Sequence, residues 1–145
     1  MSPPLYSREI LALAVALGET PRLADAARSG ERRAPLCGSR VALDLDIDAA
    51  GHVARVGLAV EACALGQAAA SLFARGAAGR DSRALTAAHA ALAAWLTGSS
   101  DTLPDWPGIA ALAPARPYRA RHAAILLPFA LAADLAGVPA TGAPV

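Results

Sequence analysis

Lysine is absent from this 145-residue chain: all 13 basic residues are arginine, set against 12 acidic ones. With a formal net charge of +1 and no long basic block, nucleic acid is not an expected partner. The all-arginine, alanine-rich usage follows most simply from genomic base composition and carries no mechanism. Aromatic residues are scarce, at 4%. Alanine supplies much of the apolar content and buries little area per residue, so the fold must lean on closely packed helices. Long hydrophobic runs are missing too. Ile10 to Leu17 and Ala123 to Ala133 fall short of the roughly 18–20 residues that span a bilayer, and Pro128 interrupts the second. No membrane span is expected. A secretory leader is not expected either, because Glu9 cancels Arg8 and Gly18-Glu19-Thr20-Pro21-Arg22 separates the apolar run from Ala24-Asp25-Ala26. Paired catalytic carboxylates, a phosphate-cradling glycine loop and a Ser-His-Asp set are all lacking, so the chain is not expected to be an enzyme.

Cysteine is nearly absent, and the two that remain are informative. Without a leader the expected compartment is the reducing cytoplasm, where thiols bind metal or sulfur more often than they pair. Cys37 opens Cys37-Gly38-Ser39-Arg40, a glycine turn leading into Val41 to Ile47, where apolar and acidic residues alternate as in a half-exposed strand. Asp48-Ala49-Ala50-Gly51 is a hairpin turn, and His52 to Val60 is the return strand. Cys63 follows that strand and precedes the small-residue helix Ala64 to Arg75. The two cysteines therefore stand at the two ends of one hairpin, with Cys63 where unpaired helix N–H groups favour a thiolate.

The remaining elements read as follows. A helix runs from about Leu5 to Leu17, ended by Gly18, and Thr20-Pro21-Arg22 is a turn. Leu23 to Leu36 holds a short edge strand broken around Ser29-Gly30. Asp81-Ser82-Arg83 caps a helix reaching about Leu96 and stopped by Gly98; Gly108 to Leu112 forms one helical turn; a last helix spans about Arg119 to Leu135, kinked or divided by Pro128. Trp95 and Trp106 read as core anchors. His52 and His89 read as exposed and as helix-surface or satisfied core residues. Strands first and helices afterwards give an α+β fold, a small antiparallel sheet of about three strands covered on one face by helices. Length fits one domain over residues 1–136, with 137–145 a disordered tail.

The third candidate ligand is His122, at the start of the last helix in Arg119-Ala120-Arg121-His122. The ordered set Cys37-Gly38-Ser39, hairpin, Glu61-Ala62-Cys63 with Ala68-Ala69-Ala70-Ser71, and then Arg119-Ala120-Arg121-His122 resembles the NifU-like iron–sulfur scaffold family of IscU and SufU types. Leu5-Tyr6-Ser7 and Pro21-Arg22 resemble that family's opening helix and proline–arginine turn, so the likeness covers about residues 5 to 136. The long segment between Cys63 and His122 is closer to the SufU type. This chain departs from the family at three places: His122 replaces the third cysteine, Ser39 the aspartate after the first, and Ala113-Pro114-Ala115-Arg116-Pro117 the proline-rich chaperone motif.

The resemblance implies a scaffold binding a [2Fe–2S] cluster, or its iron and sulfur precursors, through Cys37, Cys63 and His122. It also implies a cysteine desulfurase as sulfur source and apo iron–sulfur proteins as recipients. Two thiolates and an imidazole would equally hold Zn²⁺ in three corners of a tetrahedron, as in a zinc-bound sulfur-transfer partner of a desulfurase. A diverged interaction module that has lost its metal is the third reading. Ser39, a poor ligand because its hydroxyl stays protonated, would orient Cys37. Arg116, Arg119 and Arg121 would offset the negative charge of a bound cluster, or simply form a solvated basic face.

Overall fold

The computed structural model describes residues 5–137. Strand β1 is Arg28–Arg33, β2 Arg40–Ile47 and β3 Val53–Glu61; helix α1 is Arg8–Ala16, α2 Ala64–Gly76, α3 Ser82–Thr97 and α4 His122–Ala136. The expected tail lies, apart from Gly137, outside the described residues. The sheet is antiparallel in the order β1-β2-β3. Its middle strand places Val41, Leu43 and Leu45 on one face, all buried. Period-two alternation puts them there together; α4 packs over β2, and α2 packs over the neighbouring β3.

The β2–β3 turn forms as its residues dictate. The Asp48 carboxylate accepts from the amides of Ala50 and His52 at 3.0 and 2.9 Å, and Gly51 takes the left-handed conformation (φ 91°). Strand β1 is continuous rather than broken at Ser29-Gly30. Gly30 stays within the ladder because Leu131 and Leu135 of α4 pack where a larger side chain would stand. Helix α1 starts three residues later than expected, at the Ser7 cap, whose Oγ accepts from the Ile10 amide at 3.2 Å.

The Asp81 cap and the Gly98 stop of α3 both hold: Asp81 Oδ1 accepts from the Ala84 amide at 2.8 Å, and Gly98 has φ 83°. Trp95 and Trp106 are both core residues. The Trp106 indole N–H donates to the Leu72 carbonyl at 2.8 Å, and its ring meets Phe73 and Phe129 with centroids 5.6 and 5.0 Å away. Between α3 and α4 the chain tightens into 3-10 turns at Ile109–Ala115 and Arg119–Arg121. Helix α4 then runs undivided across Pro128, which is buried within it. Tertiary packing of so apolar a helix overrides the local cost of the proline.

The other face of the sheet corrects the reading of β2 as half exposed. Asp44 points away from the helices, yet it is fully buried. The turn that follows α1 folds over it. Arg22 Nε and Nη2 donate to the two carboxylate oxygens at 2.6 and 2.8 Å, the Leu23 amide donates at 2.9 Å and the Ser29 hydroxyl at 2.6 Å. Those four donors, led by the Arg22 bond, hold the Asp44 carboxyl down at a pKa of about 2 against the opposing effect of burial. Gly57, opposite Asp44 in the ladder, makes the approach feasible. A Cβ there would stand 2.6 Å from the Leu23 amide nitrogen.

Candidate functional site

The β1–β2 connection, residues 34–39, carries the first cysteine. Ala34 donates to the Ser39 carbonyl at 2.8 Å and Gly38 donates back to Ala34 at 2.9 Å, a closure that Gly38 permits by its φ of 73°. The turn leaves Cys37 exposed while Ser39 is buried beneath it. Cys63 is the N-cap residue of α2, half-buried, with extended backbone (φ −64°, ψ 169°) and no side-chain bond to the helix amides. Its sulfur therefore remains available at the positive end of the helix. Because β2 and β3 pair Arg40 with Glu61, the ladder brings the two cysteines to the same end of the sheet.

There they line one cavity of about 200 Å³, shared with Gly38, Ser39, Glu61, Ala62, Ala120, Arg121 and Ala124. Cys37 Sγ and Ser39 Oγ are 3.2 Å apart. The Ser39 hydroxyl, and after it the Ser39 amide, draws the Cys37 thiol below its ordinary pKa; burial opposes them, and Arg121 adds a smaller charge effect. Arg121 lines the cavity beside Cys63, and its interaction with that sulfur is the leading cause that holds the guanidinium pKa above its ordinary value. Two thiols, one hydroxyl and one guanidinium thus face each other in an open notch. Such a set suits a soft cation or cluster with residual negative charge.

Of the five site residues expected from sequence, Cys37, Ser39, Cys63 and Arg121 line this cavity, and His122 does not. His122 is buried, with Nε2 3.2 Å from the Ala115 carbonyl and 3.0 Å from that of Arg116. Two carbonyls accept only from an N–H, so Nε2 carries the proton and has no lone pair to offer a metal. The 3-10 turn Arg119–Arg121 is the cause: it sets Arg121 toward the thiols and the next side chain toward the Ile109–Ala115 turn. Among the described residues no group of three His, Cys, Asp or Glu side chains is placed to hold a metal ion. Arg116 also lies elsewhere, donating to the Trp95 and Ser100 carbonyls and pairing with Asp101. Glu61, the last residue of β3, stands in the matched Glu61-Ala62-Cys63 run but was not among the expected site residues. Its carboxylate, at the rim of the cavity, pairs with Arg40 at 2.5 Å.

The same architecture occurs in solved structures. The N-terminal part of a nitrogen-fixing NifU-like protein from Brucella abortus superposes with a TM-score of 0.79 and is 33% identical, over 90% of this chain and 91% of that one. The chain belongs to the NifU-like family. A protein from Fervidobacterium islandicum, described as an iron–sulfur cluster assembly scaffold for the SUF system, shares the fold at 17% identity with a TM-score of 0.83, covering 91% of this chain and 96% of its own. A hypothetical protein shares it at 15% identity and a TM-score of 0.74, over 89% of this chain and 97% of its own. No family model and no curated protein matches the sequence.

Proposed function

We propose that this NifU-like chain is a scaffold that gathers an iron–sulfur cluster, or its iron and sulfide precursors, as cargo at the cavity between Cys37 and Cys63. The observation that carries this reading is the convergence of the two thiols, from opposite ends of one hairpin, in a single open notch that also holds a guanidinium. A thiolate is the soft, strongly donating ligand that iron–sulfur clusters take. Ser39 favours the thiolate at Cys37, and Arg121 offsets the charge that thiolates and sulfide accumulate. The protein's role is to bind and hand on, without turnover of its own. Its partners are a cytoplasmic cysteine desulfurase supplying sulfur and apo iron–sulfur proteins receiving the product.

The exposure of Cys37 favours one further reading, that of a sulfur-transfer partner in which Cys37 accepts sulfur from the desulfurase and Zn²⁺ stands in place of iron. Iron, zinc and acid-labile sulfide analysis of protein purified without oxygen, with a visible spectrum beside it, separates the two. Iron and sulfide in equal amounts, lost together in the Cys37→Ser and Cys63→Ser variants, support the scaffold. Stoichiometric zinc without sulfide supports the transfer partner. Metal content unchanged by both substitutions overturns the cavity as the site.

A further inference from the structure

Strand β3 is an edge of the sheet, and its own chain covers only part of that edge. At one end the Leu58 amide donates to the Thr20 carbonyl at 3.2 Å. At the other, Val53 donates to the Arg80 carbonyl and accepts from the Gly79 amide, both at 2.8 Å. Five residue steps separate these closures, about 17 Å of strand. Antiparallel pairing turns the backbone groups of every second residue outward, so Val56 faces the same way as Leu58. Neither its amide nor its carbonyl has a partner there among the described residues. The register shift at Asp46/Ile47 leaves Ala54 as an extra residue beside it.

A cavity of about 400 Å³ opens against this gap and shares no residue with the cysteine cavity. Small side chains of α2, Ser71 and Ala74, line it together with Pro21 and Leu23 from the turn after α1. Ser71 is 3% exposed, and its hydroxyl, which reaches the cavity, has no hydrogen-bond partner among the described residues. Opposite charges stand by the two closures: Glu19 next to Thr20, and Arg75 in the last turn of α2, ahead of Gly79. Neither forms an ion pair among the described residues, whereas Arg55, also in the lining, is engaged by Asp46.

We propose that this slot binds the C-terminal end of a partner polypeptide as a short added strand. Main-chain bonds to Val56 fix its register, and the Ser71 hydroxyl supplies one more polar contact. A continuous strand cannot run through, because the Thr20 and Gly79 closures occupy the edge on both sides. A chain end fits where a through-going strand does not. Its carboxylate lies at Arg75, so the segment runs antiparallel to β3, and a cationic residue a few positions back meets Glu19. Small apolar side chains suit the walls. The site stands apart from the cysteines, so it holds whether or not the scaffold reading does.

The probe is acetyl-Lys-Ala-Ala with a free carboxyl end, titrated into the isotope-labelled full chain while its backbone amide resonances are followed. Saturable shifts are expected at residues 54–57 and at Ser71, with a Kd of millimolar order, and none at Cys37 or Cys63. The same peptide with an amidated end should bind about ten-fold more weakly, the loss of one charged hydrogen bond. Arg75→Ala, at an exposed position, should weaken the free acid to the same extent. Equal binding of acid and amide overturns the proposal. So does a titration without saturation, or one whose shifts are confined to the cysteine end of the sheet. A concentration-dependent doubling of the 14.6 kDa mass, with residues 54–57 broadened before any peptide is added, assigns the edge to a second copy of the chain and overturns it too.

Discussion

Two arginine-bearing clusters lie at opposite levels of saturation in this molecule. Around Asp44 every lone-pair direction is used: Oδ1 accepts from Arg22 and Ser29, Oδ2 from Arg22 and the Leu23 amide, and no surface remains exposed. Around Cys37 and Cys63 the sulfurs have one side-chain partner each, Ser39 and Arg121, and the space between them opens outward. A charge fully satisfied by its own chain fastens the fold, whereas donors left with spare coordination hold cargo. The chain thus separates the two uses of an arginine, one to lock a turn onto the sheet and the other to neutralise what arrives.

The separation is broken most severely at Asp44. Asp44→Ala strands the Leu23 amide, the Ser29 hydroxyl and the Arg22 guanidinium, and should cost about 3 kcal/mol. Because Arg22 is half exposed, the loss falls at the lower end of what a buried pair costs. Urea denaturation measures it. The same measurement on Cys37→Ser with Cys63→Ser should show a change within about 1 kcal/mol. Equal losses in the two proteins would erase the distinction between lock and site.

Acid sharpens the same contrast. Asp44 titrates near pH 2 in the folded chain, below its unfolded value, so the unfolded state binds more protons in the interval between. The stability it contributes is fully present above about pH 4 and is lost as pH falls toward about 2, an amount of about 2 kcal/mol. Thermal melts across that interval should show the drop in the wild type, and Asp44→Asn should flatten it.

The hairpin was legible in the sequence because alternation and the Asp48–Gly51 turn are local signals, and with it came the placement of both cysteines at one end of the sheet. Asp44 was misread for a physical reason. Alternation tells which face a side chain takes but not what covers that face, and the cover is Arg22, well upstream. The Pro21-Arg22 turn was visible as a turn; only its return onto β2 made Arg22 a partner. The resemblance offered His122 as a ligand from its place along the chain alone, and the cavity is lined instead by its neighbours Ala120, Arg121 and Ala124. Which way the His122 ring faces depends on one 3-10 turn, a rotation that spacing alone does not encode.

His122 itself gives the next smaller effect. Its ring is buried and tethers the Ala115 and Arg116 carbonyls. His122→Ala should therefore destabilise the fold by about 1–2 kcal/mol. Iron bound at saturation should be unchanged provided the chain is folded. Arg121→Ala should reverse that pattern, with stability within about 0.5 kcal/mol of wild type and faster loss of a preformed cluster to a chelator.

The smallest effect lies within the open cavity, at Ser39. The Cys37 thiol is held below its ordinary pKa chiefly by the Ser39 hydroxyl, with the Ser39 amide second and Arg121 contributing last. Only the thiolate reacts readily with an alkylating agent. In a Cys63→Ser background, where a single sulfur reports, the rate of iodoacetamide labelling against pH should therefore rise at lower pH than for a free thiol. Ser39→Ala should move that profile upward but not the whole way, because the backbone amide at residue 39 still faces the sulfur. Arg121→Ala should move it by less than Ser39→Ala. Overlapping profiles for wild type and Ser39→Ala would show that the hydroxyl accepts from the thiol without stabilising the thiolate, and would leave the amide and Arg121 to account for the shift. A larger shift from Arg121 than from Ser39 would make the guanidinium the main electrostatic partner of both cysteines, and the cavity a more completely paired site than the contrast with Asp44 allows.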